Sequence, residues 1–500
     1  MLITSSILLD ALILLSSAIF ALHFYVSSRH KYWKKRGVYS PDDTKPFIGH
    51  FFDVLTLKTT SFEWLKKYYD KVNKDFFGLY IFDDHYLILK NPELVKHVLI
   101  KDFNNFVDRN IPVGEHELLL NHAMFFQKGN VWKENRSRIT PVLSSGKLKS
   151  MFPLFLDTAN AFMDYLEKKQ GILETKEVTS RYTCETISRS AFGVNAHSFE
   201  DWDSEFTVNR RRVFGFSLRN AISQGLYLFK PNWTTLFRVH FFDPAVVEFF
   251  SGVFIDIFRS RNAKNPDYSD LIDTMRELKA KNAEKIDNLV FSGHAVQFFV
   301  AGFESTSSTV AFTLYRFALD PSLQDKGRKE AEEVAEKYGG TFTYEALQDL
   351  HYLNMCINET LRMYPVVPFL HRLCVEDYKI PGSDCIIEKD TTVFIPIYGL
   401  QMDEKLFPEP HVYNPERFRD KLDQGDGSYY LPFGDGPRKC IGGRLGLMNA
   451  KLVLASILRN FEITKCPKTP IPLEFEPRSF LMQSKVGLPL KFSKLQKKMA

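Results

Sequence analysis

The sequence predicts one large globular domain held behind a single N-terminal transmembrane anchor helix. Three observations carry this. Five hundred residues that are 44% hydrophobic, with 45 Phe, can bury a large core, which excludes a disordered or fibrous chain. After residue 50 there is no Ser/Gly linker, low-complexity run or internal repeat to divide the chain. Ahead of it, Ala11 to Val26 is almost continuously apolar.

The anchor comes first in the chain. With Leu2 to Leu9, the apolar run approaches the ~20 residues that span a bilayer, interrupted only by Asp10, which is expected near the lumenal headgroups. No Lys or Arg precedes Ser28, whereas Arg29, Lys31, Lys34, Lys35 and Arg36 follow it. Positive charge after the apolar run places the remainder on the cytosolic side, and a cleaved leader would carry that charge in front. The expected division is therefore 1–28 as anchor, 29–49 as basic stop-transfer segment and Pro/Gly hinge, and 50–500 as the folded domain. Six cysteines (Cys184, Cys356, Cys374, Cys385, Cys440, Cys466) without a CxxC suit a compartment that keeps thiols reduced. A formal charge of +5, from 65 basic and 60 acidic residues, is too balanced for a nucleic-acid partner.

Within the domain, Gly78 to Leu89 reads as two apolar strands about Asp83-Asp84, and Thr391 to Ile397 as another strand. Val290 to Leu319 is a long apolar stretch. Residues 433 to 442 form a glycine-rich loop that delivers one cysteine, Cys440, just before the helix-like run Leu445 to Leu458. Glycines let the backbone approach a flat cofactor, and amides at a loop-to-helix start stabilise a thiolate.

That loop resembles the haem-binding pattern Phe-x-x-Gly-x-Arg-x-Cys-x-Gly of the cytochrome P450 family, matched by Phe433, Gly436, Arg438, Cys440 and Gly442. The resemblance implies haem b, iron protoporphyrin IX, with Cys440 as the protein's ligand to iron. Thiolate ligation pushes electron density onto iron and favours O–O cleavage. It also implies a mainly α fold with a small β region, the P450 fold, and extends in family order along nearly the whole chain. Trp132 and Arg136, one helical turn apart, resemble the propionate-binding helix, Arg438 is expected on a propionate, and His371-Arg372 resembles the segment that offers another propionate arginine. Glu359 and Arg362 match the family's Glu-x-x-Arg, onto which Arg417 of Pro415-Glu416-Arg417-Phe418 folds back in the family as a structural network.

Ala301-Gly302-Phe303-Glu304-Ser305-Thr306 resembles the oxygen-activating segment. Gly302 would let oxygen approach the backbone, Glu304 would relay solvent protons, and Ser305, standing where threonine is usual, or Thr306 after it, would supply the hydroxyl. Fold resemblance places substrate around Arg109 to Phe126, Phe206 to Phe242, Phe298 to Ala301, Val366 to Leu370 and Phe480 to Gln483, which are rich in apolar side chains. Phe214 to Phe242 offers a second contact with the bilayer. Lys128, Lys133, Arg138, Lys147, Lys149, Lys439 and Arg444 are expected on the cysteine side, facing an electron donor.

The phrases Glu-Thr-Leu-Arg-Met-Tyr-Pro and Ala-Gly-Phe-Glu-Ser-Thr-Ser-Ser-Thr are most similar to insect microsomal P450s that oxidise xenobiotics. The implied function is a monooxygenase at the endoplasmic reticulum membrane, cytosolic face, inserting one atom of O2 into a lipophilic small molecule, a xenobiotic or hormone. The implied partners are NADPH–cytochrome P450 reductase and cytochrome b5. Two other classes share the haem loop: an enzyme that rearranges peroxides without a reductase, and a haem-binding carrier or sensor without turnover.

Overall fold

The computed structural model describes residues 7–201, 203–213, 215–261, 270–281, 288–420 and 429–496. Phe214, at the start of the stretch read as a bilayer contact, lies outside them.

The apolar N-terminal run is helical over Ile7–Arg29, its side chains mostly exposed. Residues 29–49 are built onto the domain that follows. Trp33 is fully buried, and a Cβ on Gly78 would stand 2.1 Å from its ring. Tyr32 donates to Glu388 at 2.9 Å, and the backbone of Gly49 pairs with Ile81. Aromatic residues make this segment a fixed strut between anchor and domain.

The strut rests on a four-stranded sheet in the order Phe76–Ile81, Asp84–Leu89, Thr392–Ile395, Leu370–Leu373. The first two strands pair antiparallel with Ile81 opposite Asp84, so the hairpin turns at Phe82-Asp83, one residue before the expected Asp83-Asp84. Phe82 takes the positive φ of 55° in the turn, and Lys230 bridges the carboxylates of Asp83 and Asp84, the latter at 2.7 Å. The strand expected from Thr391 to Ile397 stops at Ile395, and the short helix Ile397–Gln401 follows Pro396. A second sheet, in the order Gly171–Glu174, Pro489–Lys494, Phe461–Lys465, and a two-residue ladder complete the β region.

Helices make up the rest, and two of them position the site. The apolar stretch is one helix, Asn288–Leu319, running through the largest core cluster. The run after the cysteine loop is the helix Gly443–Asn460, eleven of whose residues are buried. A helix that is apolar all round has no solvent face and must be central. These two pack on each other, with Thr175–Ile187 and His351–Met363 against the long helix from other sides.

Candidate functional site: a cysteine facing a cationic well

The loop 433–442 has its shape imposed by close packing. Gly436 adopts φ +68°, and a Cβ there would stand 1.9 Å from the Leu99 carbonyl oxygen, so no other residue fits. The Cys440 N–H donates to the Phe433 carbonyl at 2.8 Å and closes the loop. A Cβ on Gly442, in contrast, would meet nothing within 4 Å, so that side of the loop borders open space.

Cys440 presents its sulfur to that space. Its surroundings still act on it as on an interior group. Burial pushes the thiol up, opposed by the Gly442 N–H and by the charges of Arg136, Arg109 and Lys439. The open space is therefore inside the protein. The other cysteines with a resolved shift (Cys184, Cys356, Cys374, Cys385) are also raised by burial, but three arginine or lysine charges converge only on Cys440.

Around the same space stands a group of arginines. Arg438, 4% exposed, donates from Nε to the Val107 carbonyl at 2.6 Å and from Nη2 to the Gln127 carbonyl at 2.9 Å, and its guanidinium lies 4.1 Å from the centre of the Trp132 ring. Trp132 is thus the platform under Arg438. Arg372, on the strand Leu370–Leu373, is 1% exposed and donates to the His371 carbonyl at 2.9 Å. Arg109 donates to the Phe125 carbonyl at 3.0 Å and stacks its guanidinium on the Phe125 ring.

These cations lack counter-charge. Burial and then neighbouring arginines lower Arg438 to about 8, Arg372 to about 9 and Arg109 to about 10, against 12.5 ordinarily. Among the described residues the one carboxylate that pairs with Arg438 is Asp108, at 3.4 Å. Arg438 Nη1, Arg372 Nε and His371 Nε2 are buried without a hydrogen-bond partner there. Buried donors are normally satisfied, so the well is built for an anion. Two propionates would satisfy this donor set and the Cys440 sulfur could supply a thiolate ligand, so the residues present fit haem b.

Opposite the loop, the long helix turns Ala301 and Ser305 toward open space. The Ser305 hydroxyl donates to the Ala301 carbonyl at 2.7 Å. Thr306 is 6% exposed, its hydroxyl 3.8 Å from where a Gly446 Cβ would stand, so it faces the helix Gly443–Asn460. At Gly302 a Cβ would stand 2.9 Å from the end of the Ile187 side chain, so the glycine also allows the helix Thr175–Ile187 to pack closely. Glu304 is buried and its carboxylate is shared by Lys176 at 2.9 Å, Gln483 at 2.9 Å and Ser308 at 3.4 Å. Those three residues line a cavity of about 220 Å³. Nothing in the sequence pointed to Lys176.

The supporting network is buried below. Arg362 and Glu359 are fully buried and joined at 2.7 and 2.9 Å, and Arg417 Nε lies 3.4 Å from Glu359 Oε1. Arg362 also donates to the Gln401 carbonyl at 2.8 Å, and the Gln401 side chain receives the Leu431 N–H at 3.0 Å. The network therefore reaches the chain two residues before Phe433. On the surface, Lys128, Lys133 and Lys439 are exposed, whereas Arg138, Lys147 and Lys149 are engaged by Glu134, Glu277 and Glu345, and Arg444 donates to Ser145.

Sequence reading missed Arg109 as part of the well, and Asp108, which also receives the Gly129 N–H at 2.7 Å and so holds the start of the Trp132 helix to Arg438. Neither belongs to a spaced motif. The pair Asp108-Arg109 was the available signal, at the start of the stretch Arg109 to Phe126 assigned to substrate.

The cytochrome P450 family profile matches residues 40–490. Cytochrome P450 6k1 of Blattella germanica is 36% identical, over 98% of each chain. Cytochrome P450 6j1 of the same insect is 35% identical over 95% of each, and cytochrome P450 6a8 of Drosophila melanogaster 33% identical over 94% of this chain and 96% of its own.

Proposed function

Since the chain belongs to the cytochrome P450 family and is a haem-thiolate monooxygenase of insect type, we propose that it oxygenates a lipophilic small molecule with electrons drawn from NADPH through a membrane-bound flavin reductase. The observation that carries the reading is the union of a space-facing Cys440 with buried cations beside it that keep unbonded donors, Arg438 Nη1 and Arg372 Nε. When bound, the haem supplies the activation of O2.

This chain's residues do the remainder. Arg372, Arg438, Arg109 and Arg136 hold the propionates, and Trp132 supports Arg438 by its ring face. The Gly442 N–H and the nearby cations favour the deprotonated sulfur. Ser305, whose hydroxyl at the open side donates to the Ala301 carbonyl, would give its proton to oxygen bound in that space and regain one from solvent. Glu304, bonded to Lys176, Gln483 and Ser308 beside a cavity, would be the carboxylate that takes up solvent protons. Lys176 holds the Glu304 carboxylate in place, which makes it a positioning residue.

The exposed Lys128, Lys133 and Lys439 suit an acidic electron-donor surface, the reductase or cytochrome b5. The location proposed is the endoplasmic reticulum membrane with the domain on the cytosolic face, from the basic residues that follow Ile7–Arg29. Trp233, Leu236 and Phe237 are exposed, and Trp233 stacks on Phe82 beside Asp83, which Tyr25 of the anchor also meets. That surface suits a second bilayer contact and the entry of lipophilic substrates.

Reconstitution with NADPH and reductase tests the reading. Oxygenated product in proportion to NADPH consumed, with the thiolate-shifted band of the ferrous carbonyl complex lost in Cys440→Ser, is expected. Turnover of a hydroperoxide without reductase, and none with it, would overturn it.

A further inference from the structure

Away from the cysteine loop, two segments of the expected substrate side meet through an imidazole–carboxylate–imidazole group. His116 and Glu117 lie in the irregular stretch between Ile111 and Leu120, and His240 follows the short helix Pro231–Leu236. One ligand atom from each lies within 4.8 Å of the others. His240 Nδ1 and Glu117 Oε2 are 3.5 Å apart. Ligands bound at 2.0–2.1 Å in a tetrahedron stand roughly 3.4 Å from each other, so this separation already matches a shared ion.

The group is held in the manner of a metal site. The Glu117 carboxylate is 5% exposed, and its Oε1 accepts from the Phe241 N–H at 2.7 Å and the Tyr227 hydroxyl at 3.3 Å, which leaves Oε2 toward His240. His116 Nε2 meets the Val239 carbonyl at 3.0 Å, the backbone contact that commonly orients a ligating imidazole. Gly114 leaves room for the ring, since a Cβ there would lie 2.6 Å from it. A carboxylate this buried needs compensating charge, and among the described residues His240 is its one ion-pair partner.

We propose that His116, Glu117 and His240 bind one divalent transition cation of the zinc class, which clasps the 111–120 stretch to the 238–242 stretch. Two imidazoles and a carboxylate are the donor set such ions prefer over calcium or magnesium, and water completes the fourth position. The clasp lies behind Phe241, whose ring packs on Phe126 and Phe480 at 5.3 and 6.3 Å. Occupancy therefore stiffens the apolar wall of the distal space and slows the exchange of lipophilic molecules through it. Metal binding is independent of the monooxygenase reading; only this consequence rests on it.

The test equilibrates the haem-loaded full chain with zinc chloride in a chelator-buffered series and measures zinc per haem. One zinc beyond any background is expected in the wild type, lost in His240→Ala and in Glu117→Gln and regained in His240→Cys, which restores a zinc donor. Ligand removal should weaken binding by roughly tenfold or more. The ferrous carbonyl spectrum verifies folding in each variant, and His240→Cys, which keeps a donor beside Glu117, controls for loss of that carboxylate's partner. Zinc should slow the substrate-induced Soret shift in the wild type and not in His240→Ala. Equal zinc uptake by wild type, His240→Ala and Glu117→Gln, or none by the wild type, overturns the proposal.

Discussion

Replacing Arg372 by Met should shift the haem-free and haem-loaded protein in opposite directions. Arg372 is the cleanest member of the well to remove, because its recorded hydrogen bond goes to the adjacent His371 carbonyl, whereas Arg438 also ties down Val107 and Gln127. Its burial, then the charge of Arg109, holds it at about 9 where 12.5 is ordinary. At about 1.4 kcal/mol per pKa unit, that difference puts the cost of its uncompensated charge near 5 kcal/mol. Met fills the volume without charge and loses one hydrogen bond of about 1 kcal/mol, so the haem-free chain should gain on the order of 3–4 kcal/mol. The haem-loaded chain loses a charge-assisted bond of about 1.5–3 kcal/mol. Urea unfolding of the haem-free chain and the rate of haem transfer to an excess of a haem-scavenging globin read the two sides separately. A variant that destabilises the haem-free chain as much as it speeds haem loss would refute the idea that this arginine is stored against an absent anion.

Three further outcomes follow from the same geometry. Ser305→Ala should keep the thiolate-shifted carbonyl band while product per NADPH falls on the order of tenfold or more, Ser305→Thr should retain most of it, and buried Thr306→Ala should change it little; equal losses for Ser305→Ala and Thr306→Ala would contradict the assignment. Glu359→Gln leaves the fully buried Arg362 without its carboxylate, and should cost about 3–5 kcal/mol in thermal or urea unfolding, with no change in the carbonyl band of the surviving folded fraction. Burial holds His371 near 3 and His294 near 4, against 6.5 ordinarily. The unfolded chain takes up these protons near pH 6.5 and the fold refuses them, so stability is full above that pH and falls as it drops toward about 4, by about 1.4 kcal/mol per pH unit for each group. His294→Leu, at a ring with neither nitrogen partnered, should flatten the urea midpoint against pH by one group's share; an unchanged slope would count against it.

The parts of the fold legible in the sequence are those that repeat a local pattern. The helix after Cys440 and the long helix are apolar over many turns, and each was placed within two residues of its observed ends, Gly443–Asn460 and Asn288–Leu319. The hairpin was legible too, but its turn was misplaced by one residue: Phe82 takes the positive φ, and both aspartates meet Lys230, 147 and 146 residues away. Nothing local carries such a partner. Gly302 likewise has a contact from afar: its Cβ position meets Ile187 on another helix. The sheet built from Gly171–Glu174, Pro489–Lys494 and Phe461–Lys465 was invisible because its strands come from distant parts of the chain and are only four to six residues long.

The site divides along the same line, and the division is physical. A ligand that must meet iron from a defined direction needs a rigid loop, so its residues are contiguous and the pattern around Cys440 is strong. Anion binding needs only charge at a place, and charge acts through space from any element. Arg109, Arg136, Arg372 and Arg438 arrive from a loop, a helix, a strand and the cysteine loop itself. What unites them is measurable only in three dimensions: each is a cation whose pKa the fold lowers, and the lowering is largest where unpaired donors point into the well. A buried like-charge cluster costs free energy by itself, and a bound anion would offset that cost. That makes the depressed arginines, more than the loop pattern, the feature by which a chain that still binds haem can be told from one that retains the cysteine and has lost the cofactor.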